Sequence, residues 1–247
     1  MAQEDFILIA HRGVVTDTTP PNSLAALEEA IARGYSHVEV DLGATKDGHA
    51  VCIHDDSLRS ATGRGQRVTE LTLEELRALV PVETVPDFAT FCARSEQRIG
   101  LMLDIKWWPA GAEDAFKKSI ETSMRKHGLM KDAYFIGKSQ LARDFENGGR
   151  RKLRTSLEEV QESGQQENRL GDEYFAFGRA AKFDAASVTA YQELGLKVIV
   201  SINAFHYLTS PDWEKAGNED VRRMLEYGVD GLQIDCAYEP AVRAHFE

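Results

Sequence analysis

The sequence has little cysteine, and what it has is scattered. Cys52, Cys92 and Cys236 are odd in number and far apart, with no Cys-x-x-Cys pair. Neither a disulfide framework nor a zinc knuckle is expected, and reduced thiols suit a cytoplasmic protein. No apolar stretch approaches the roughly 20 residues needed to cross a bilayer. No basic segment precedes an apolar run at the N-terminus, where strand-like residues begin at Phe6, so no secretory leader is expected. Positive charge is also scarce: 29 Lys and Arg stand against 40 Asp and Glu, a net charge of −11. Such a chain repels nucleic acid and anionic membranes unless charge is locally segregated, so neither is expected as a stable partner. A site that takes phosphate must therefore supply its own cations. Repeats, linkers and low-complexity segments are absent as well. With 247 residues, 43% of them hydrophobic, a single domain over 1–247 with a substantial core is expected.

What is present is an alternation of short β-rich runs with helical patterns. Strands are expected at Phe6–His11, His37–Leu42, Gly100–Ile105, Ala133–Ile136, Lys152–Ser156, Tyr174–Phe177, Lys197–Ile202 and Gly231–Asp235. Several are apolar on both faces, as buried parallel strands are. Asn22 is placed to cap a helix striped by Leu24, Leu27 and Ile31 and ended by Gly34. Thr72 and Glu75 fit a capping box, and Val188, Tyr191 and Leu194 stripe a helix that Gly195 ends. Eight strand–helix units point to an α/β fold of the (β/α)8 type, a TIM barrel. A doubly wound sheet is the alternative, and strand count discriminates. One segment departs from the rhythm. Asp47-Gly48 is a hairpin signal, and the piece after it is too close to the second strand for a parallel crossover. Residues 50–54 should therefore fold back antiparallel, bringing His54 opposite Asp41, with Arg59–Arg67 forming a small flap.

Side chains at the C-terminal ends of barrel strands point into the site. Glu39 and Asp41, two apart on one strand, face the same way. Two buried carboxylates are costly unless neutralised. A divalent cation would do this, and hard oxygen donors suit magnesium or calcium; an ion pair with Arg or Lys is the other solution. Asp104 and Lys106 repeat the spacing at the end of the third strand. Asp104 could complete a three-carboxylate metal site, and Lys106 could hold an anionic group or simply bridge the carboxylates. Arg12 offers the planar fork that matches phosphate oxygens, and Gly13 permits a tight turn. Of the seven histidines, His11 and His54 fall at expected mouth positions, where a pair could serve acid–base cleavage of a phosphodiester. His206 follows the seventh strand and could line the mouth, though a surface role is favoured.

The succession Ala10-His11-Arg12-Gly13, Val38-Glu39-Val40-Asp41, Thr45-Lys46-Asp47-Gly48 and His54-Asp55-Asp56-Ser57-Leu58 resembles the glycerophosphodiester phosphodiesterase family. The resemblance covers about the first 65 residues and returns at Asp104-x-Lys106. It is fainter at Ser201-Ile202-Asn203 and from Gly228 to Asp235. It implies a TIM barrel, one divalent metal ion (Mg2+ or Ca2+) and hydrolysis of a small-molecule phosphodiester to an alcohol and a phosphomonoester. By matching positions, the resemblance implies that His11 and His54 are the acid–base pair, Arg12 and Lys106 the phosphate binders, and Glu39, Asp41 and Asp104 the metal ligands.

The sequence departs from the family pattern in three places. Pro21 stands where the family keeps a glutamate before asparagine. The third carboxylate is Asp104 rather than glutamate, one methylene shorter, so a water could bridge it to a metal. Val200 replaces a family tryptophan, while Trp107 and Trp108 follow Lys106 and could wall a pocket or pack under the next helix. Two other readings use the same residues: a barrel that binds a phosphate ligand without catalysis, and a lyase releasing a cyclic phosphate.

Overall fold

The computed structural model describes residues 5–137, 141–143, 145, 148–154, 157–162 and 167–247. Among them the short apolar runs become strands β1 (Ile7–Ala10), β2 (His37–Ala44), β3 (Ala50–Cys52), β4 (Gly100–Trp107), β5 (Tyr134–Ile136), β6 (Arg150–Lys152), β7 (Tyr174–Arg179), β8 (Lys197–Ile202) and β9 (Gly231–Ile234). The helices are α1 (Leu24–Ala32), α2 (Arg59–Thr62), α3 (Leu73–Leu79), α4 (Phe88–Ser95), α5 (Glu113–Lys126), α6 (Leu157–Glu162), α7 (Glu167–Glu173), α8 (Ala185–Glu193), α9 (Trp213–Glu226) and α10 (Glu239–Phe246). None of the described helices is long and apolar enough to cross a membrane. The chain divides into two compact units, Arg12–Gly149 and Met1–His11 with Arg150–Glu247.

In the unit Arg12–Gly149, β2 pairs in parallel with β4, and β4 with β5. The β2–β4 register sets Glu39 beside Met102 and Asp41 beside Asp104. It then slips by one: Leu42 faces Ile105 but Gly43 faces Trp107, leaving Lys106 as an extra residue on β4. Such a bulge re-aims a side chain. The expected hairpin is present, with β3 antiparallel to β2. Its register runs one residue off the expectation, because Leu42 pairs with Cys52. Ile53, not His54, therefore donates its N–H to the Asp41 carbonyl, at 3.0 Å. The turn is a five-residue loop, closed by Thr45 and His49 and carrying Gly48 at φ +80°. It centres on Asp47, within the expected Asp47-Gly48 turn. The flap contains the short helix α2. Asp56 ties its base down by accepting from Arg67 (2.6 and 2.9 Å) and from the Thr69 N–H and hydroxyl (2.9 and 2.7 Å). Leu58, Val68 and Leu76 bury beneath it with Val51 and Ile53.

A second correction concerns α1. Ser23, not Asn22, is its N-cap, with Ser23 Oγ accepting from the Ala26 N–H. Gly13 is needed just before it: a Cβ there would lie 2.7 Å from the Ala26 backbone, and its φ is +80°. Thr72 forms the expected capping box with Glu75.

In the other unit β1, β9, β8, β7 and β6 pair in that order, all parallel. The strand expected at Lys152–Ser156 lies instead at Arg150–Lys152; Thr155 and Ser156 fall outside the described residues. Three cations in a row do not read as a strand. Two of them lie over aromatic rings of the next strand: the Arg151 guanidinium lies 4.9 Å from the Tyr174 ring centroid, and the Lys152 ammonium 5.2 Å from that of Phe177; Arg150 Nε–H donates to the Gly171 carbonyl at 2.9 Å.

Candidate metal centre and acid–base residues

Glu39 and Asp41 are almost fully buried within β2. With Asp104 from β4 they present carboxylate oxygens that all lie within 4.8 Å of one another. Donors bound on opposite sides of one calcium-sized cation are about that far apart. The shorter Asp104 thus stays within the cluster. Burial pushes the Glu39 carboxyl well above the ordinary carboxylate value, and Asp41 and Asp104 push it further, against Arg12 and Lys106. Burial also acts to raise Asp41, but Arg12, Lys106, Asn22 and His54 together outweigh it and hold Asp41 below its ordinary value. The cluster therefore sets one carboxyl raised chiefly by burial beside one lowered by its cationic and amide neighbours.

The two expected phosphate binders lie against these carboxylates. Arg12 donates its backbone N–H to Glu39 Oε2 at 3.0 Å, and its Nε stands 3.0 Å from Asp41 Oδ2. Lys106, carried on the bulge, pairs closely with Asp104 and stands 3.0 Å from Asp41 Oδ1. Burial acts to lower the Lys106 ammonium, but Asp41 and Asp104 win and raise it. The approaches to Asp41 are not aligned as hydrogen bonds: buried Asp41 Oδ1 and Arg12 Nε have no directed hydrogen-bond partner. One is a carboxylate oxygen and the other a guanidinium donor. A cation and a phosphate oxygen are the groups that would complete them.

Asn22 belongs to the site, although its sequence position read as a helix cap. It is buried, sits at φ +62°, donates Nδ2–H to Asp41 Oδ2 and accepts the Asp41 N–H, both at 2.9 Å. The Pro-Pro-Asn-Ser run held that signal, since an asparagine tolerates the left-handed region. Pro21, next to it, is exposed. His54 is half exposed, with Nδ1 2.7 Å from Asp55 Oδ1. Its backbone is pinned by Trp107, whose Nε1–H donates to the His54 carbonyl at 2.8 Å. The Trp107 ring covers Gly43, where a Cβ would come within 2.3 Å of it. Trp108 instead packs near Phe116 of α5, 5.9 Å between centroids.

His11 closes β1 in the other unit. It is buried, and its Nδ1 lies 2.6 Å from Asp235 Oδ1. Asp235 Oδ2 accepts from the Ala204 N–H at 2.6 Å. Asp235 was missed as a partner because 224 positions separate the two. His206 is half-buried. Burial, Arg179 and His11 lower it to about 4 against Asp235, so it is neutral at pH 7. Asn203 is buried and donates Nδ2–H to Ser201 Oγ at 3.0 Å.

Residues 11–147 match the model of the glycerophosphoryl diester phosphodiesterase family. The glycerophosphodiester phosphodiesterase 1 of Bos taurus is 34% identical over 122 residues, covering 44% of this chain and 37% of that protein. The matched stretch spans less than half the length of the curated relatives. Two solved structures cover nearly the whole chain. One is a glycerophosphoryl diester phosphodiesterase from Parabacteroides distasonis (TM-score 0.75, 21% identity, covering 100% of this chain and 90% of that one). The other is an Oleispira antarctica phosphodiesterase in complex with the product sn-glycerol-3-phosphate (TM-score 0.69, 22% identity, 96% and 95%). At such identity the likeness speaks for the fold, and strands that alternate with helices and, β3 apart, pair only in parallel within each unit are those of a (β/α)8 barrel. From the family match, which spans more than half the sequence, the chain belongs to the glycerophosphoryl diester phosphodiesterase family.

Proposed function

We propose that the protein is a metal-dependent phosphodiesterase that hydrolyses a glycerophosphodiester to an alcohol and a phosphomonoester, with both units acting as one catalytic domain. The observation that carries this reading is the charge balance around Asp41. Three carboxylates face two cations, Arg12 and Lys106, which leaves one excess negative charge. The Glu39 carboxyl is raised, first by burial and then by Asp41 and Asp104, the direction that excess dictates. With one divalent cation added, the same three carboxylates and two side-chain cations would sum to one positive charge, which offsets a singly charged phosphodiester. Glu39, Asp41 and Asp104 would hold it, and hard oxygens suit Mg2+ or Ca2+. When bound, it supplies Lewis-acid polarisation of a phosphate oxygen.

Arg12 and Lys106 then turn from the carboxylates to the phosphate oxygens, Arg12 with its unsatisfied Nε. His11 and His54 move the protons: one accepts from the attacking water as its oxygen bonds to phosphorus, the other donates to the alkoxide that leaves as its bond to phosphorus breaks. Each is held through Nδ1 by a carboxylate, Asp235 or Asp55. That leaves Nε2 as the nitrogen for exchange with substrate. The product complex of the Oleispira relative supports a glycerol-bearing substrate. The thiols Cys52 and Cys92, buried and raised by burial, suit a reducing cytoplasm.

The test is turnover of glycerophosphocholine and bis-(p-nitrophenyl) phosphate. Chelation should abolish it and Mg2+ or Ca2+ restore it; full activity in excess chelator removes the metal role. His11→Ala and His54→Ala should each cost about a hundredfold or more. Phosphorus NMR separates hydrolysis from release of a persistent cyclic phosphate.

A further inference from the structure

In the unit Met1–His11 with Arg150–Glu247, a cleft of about 470 Å³ opens at the ends of β6 and β7. That is the size of a small-ligand pocket. Lys152, Arg154 and Lys182 line it, among the rings of Phe177, Phe183 and Tyr191, and no carboxylate does among its described lining residues. Glu158 is near enough to add to the effect of burial in raising the Tyr191 phenol, but it is not part of the lining. The whole chain carries a charge of −11, so three cations around one cleft form a local reversal of sign that focuses anions.

The cleft connects to a candidate acid–base residue within the same unit. Lys152 Nζ is held 5.2 Å from the Phe177 ring centroid. Two residues on, along the same strand face, the Arg179 guanidinium lies 5.7 Å from the Phe205 ring. Phe205 in turn lies 6.0 Å from His11. Alternating cations and rings thus run from the cleft to His11. A ligand lying along this row would meet ring faces for its carbon skeleton and cations for its charges.

We propose that this cleft binds a second anionic group, a phosphate or carboxylate, borne on the leaving half of the substrate. The enzyme then favours diesters whose leaving alcohol is itself anionic. The inference rests on the phosphodiesterase reading above and adds the substrate class to it.

The test compares kcat/KM for glycerophosphoinositol and glycerophosphoinositol 4-phosphate, which differ by one phosphate on the leaving half. The phosphorylated diester should be preferred roughly tenfold or more, the scale of one charge-assisted contact, mainly through KM. In a Lys152→Gln/Lys182→Gln variant the ratio should fall to about one. Equal kcat/KM for the two diesters in the wild type, or a preference that survives both substitutions, overturns the proposal. So does the absence of preference combined with millimolar inorganic phosphate altering turnover of the unphosphorylated diester in the wild type alone, which marks a site for free phosphate. If no diester is cleaved at all, bis-(p-nitrophenyl) phosphate included, the phosphodiesterase reading fails instead. Calorimetry with inositol 1,4-bisphosphate then decides for the cleft: binding weakened several-fold by the two substitutions supports it, and equal affinity overturns it.

Discussion

Asn22 and Asp41 exchange two hydrogen bonds, Nδ2–H to Oδ2 and backbone N–H to Oδ1, each 2.9 Å long. The side-chain amide thereby fixes both the backbone and the carboxylate of the candidate metal ligand on which Arg12 and Lys106 also converge. Asn22→Ala removes both bonds and leaves buried Asp41 with poorly aligned partners. Stability should fall by about 1–3 kcal/mol, the cost of leaving a buried polar group unsatisfied. Metal affinity should fall roughly 10–100-fold, as for other groups that orient a ligand. Urea unfolding and metal titration check the two effects separately. An unchanged metal affinity would reduce Asn22 to a turn residue.

Glu39 makes the metal-free protein pH-dependent in a definite direction. Its folded carboxyl lies well above the ordinary 4.5, so the folded state keeps a proton that the unfolded chain releases. The associated stability is complete below about pH 4.5 and is lost as pH rises through the folded value. Asp41 acts oppositely: held below 3.8, its contribution is present above that pH and lost in acid. A divalent cation competes with the Glu39 proton, so its stabilisation should grow with pH above 4.5. Thermal unfolding from pH 5 to 8, with chelator and with millimolar Ca2+ or Mg2+, should show a widening gap in Tm. Glu39→Gln, which imitates the protonated group, should flatten the metal-free profile and shrink the gap. A gap independent of pH in the wild type would mean that the ion binds elsewhere.

Trp107 links the hairpin to the site. Its Nε1–H holds the His54 carbonyl, and its ring packs on the cluster of Val51, Ile53 and Leu58. Trp107→Phe keeps most of the ring and loses the bond. It should cost about 1 kcal/mol of stability and lower kcat more than it raises KM, because His54 would lose its anchor. Trp107→Ala should cost about 3–5 kcal/mol. If Trp107→Phe turns over bis-(p-nitrophenyl) phosphate at the wild-type rate, the bond supports the fold and not the histidine.

Much of this was legible in the sequence because strand period and register are local properties. Glu39 and Asp41 share a face by spacing alone, and the Asp47-Gly48 turn announces the hairpin. The clustering of Asp104 with them depended on β4 entering beside β2 in the right register, which the family resemblance anticipated and the Asp41–Asp104 pairing displays. The bulge that carries Lys106 left no mark, since it arises from a slip against β2 that no property of Lys106 encodes. Asn22 was misread because the same side-chain chemistry caps helices and braces carboxylates; only the neighbour distinguishes them. Asp235 was unreadable as a partner of His11, because adjacent parallel strands bring together residues from opposite ends of the chain.

That last pair gives the most discriminating substitution. Asp235 uses both oxygens, Oδ1 toward His11 Nδ1 at 2.6 Å and Oδ2 toward the Ala204 N–H at 2.6 Å. In Asp235→Asn the oxygen must stay on Ala204, since a backbone N–H needs an acceptor, and the new NH2 is turned toward His11. Nδ1 then has to accept, and the proton moves to Nε2. The ring keeps its place, but the nitrogen needed for substrate is in the wrong tautomer. Activity should drop by on the order of a hundredfold or more with little loss of fold, and nitrogen-15 NMR should report the switch from Nδ1–H to Nε2–H. Asp235→Ala, which allows either tautomer, should retain more activity than Asp235→Asn if the protonated nitrogen matters more than ring position. The reverse order, or full activity in Asp235→Asn, would exclude tautomer control of His11 by Asp235.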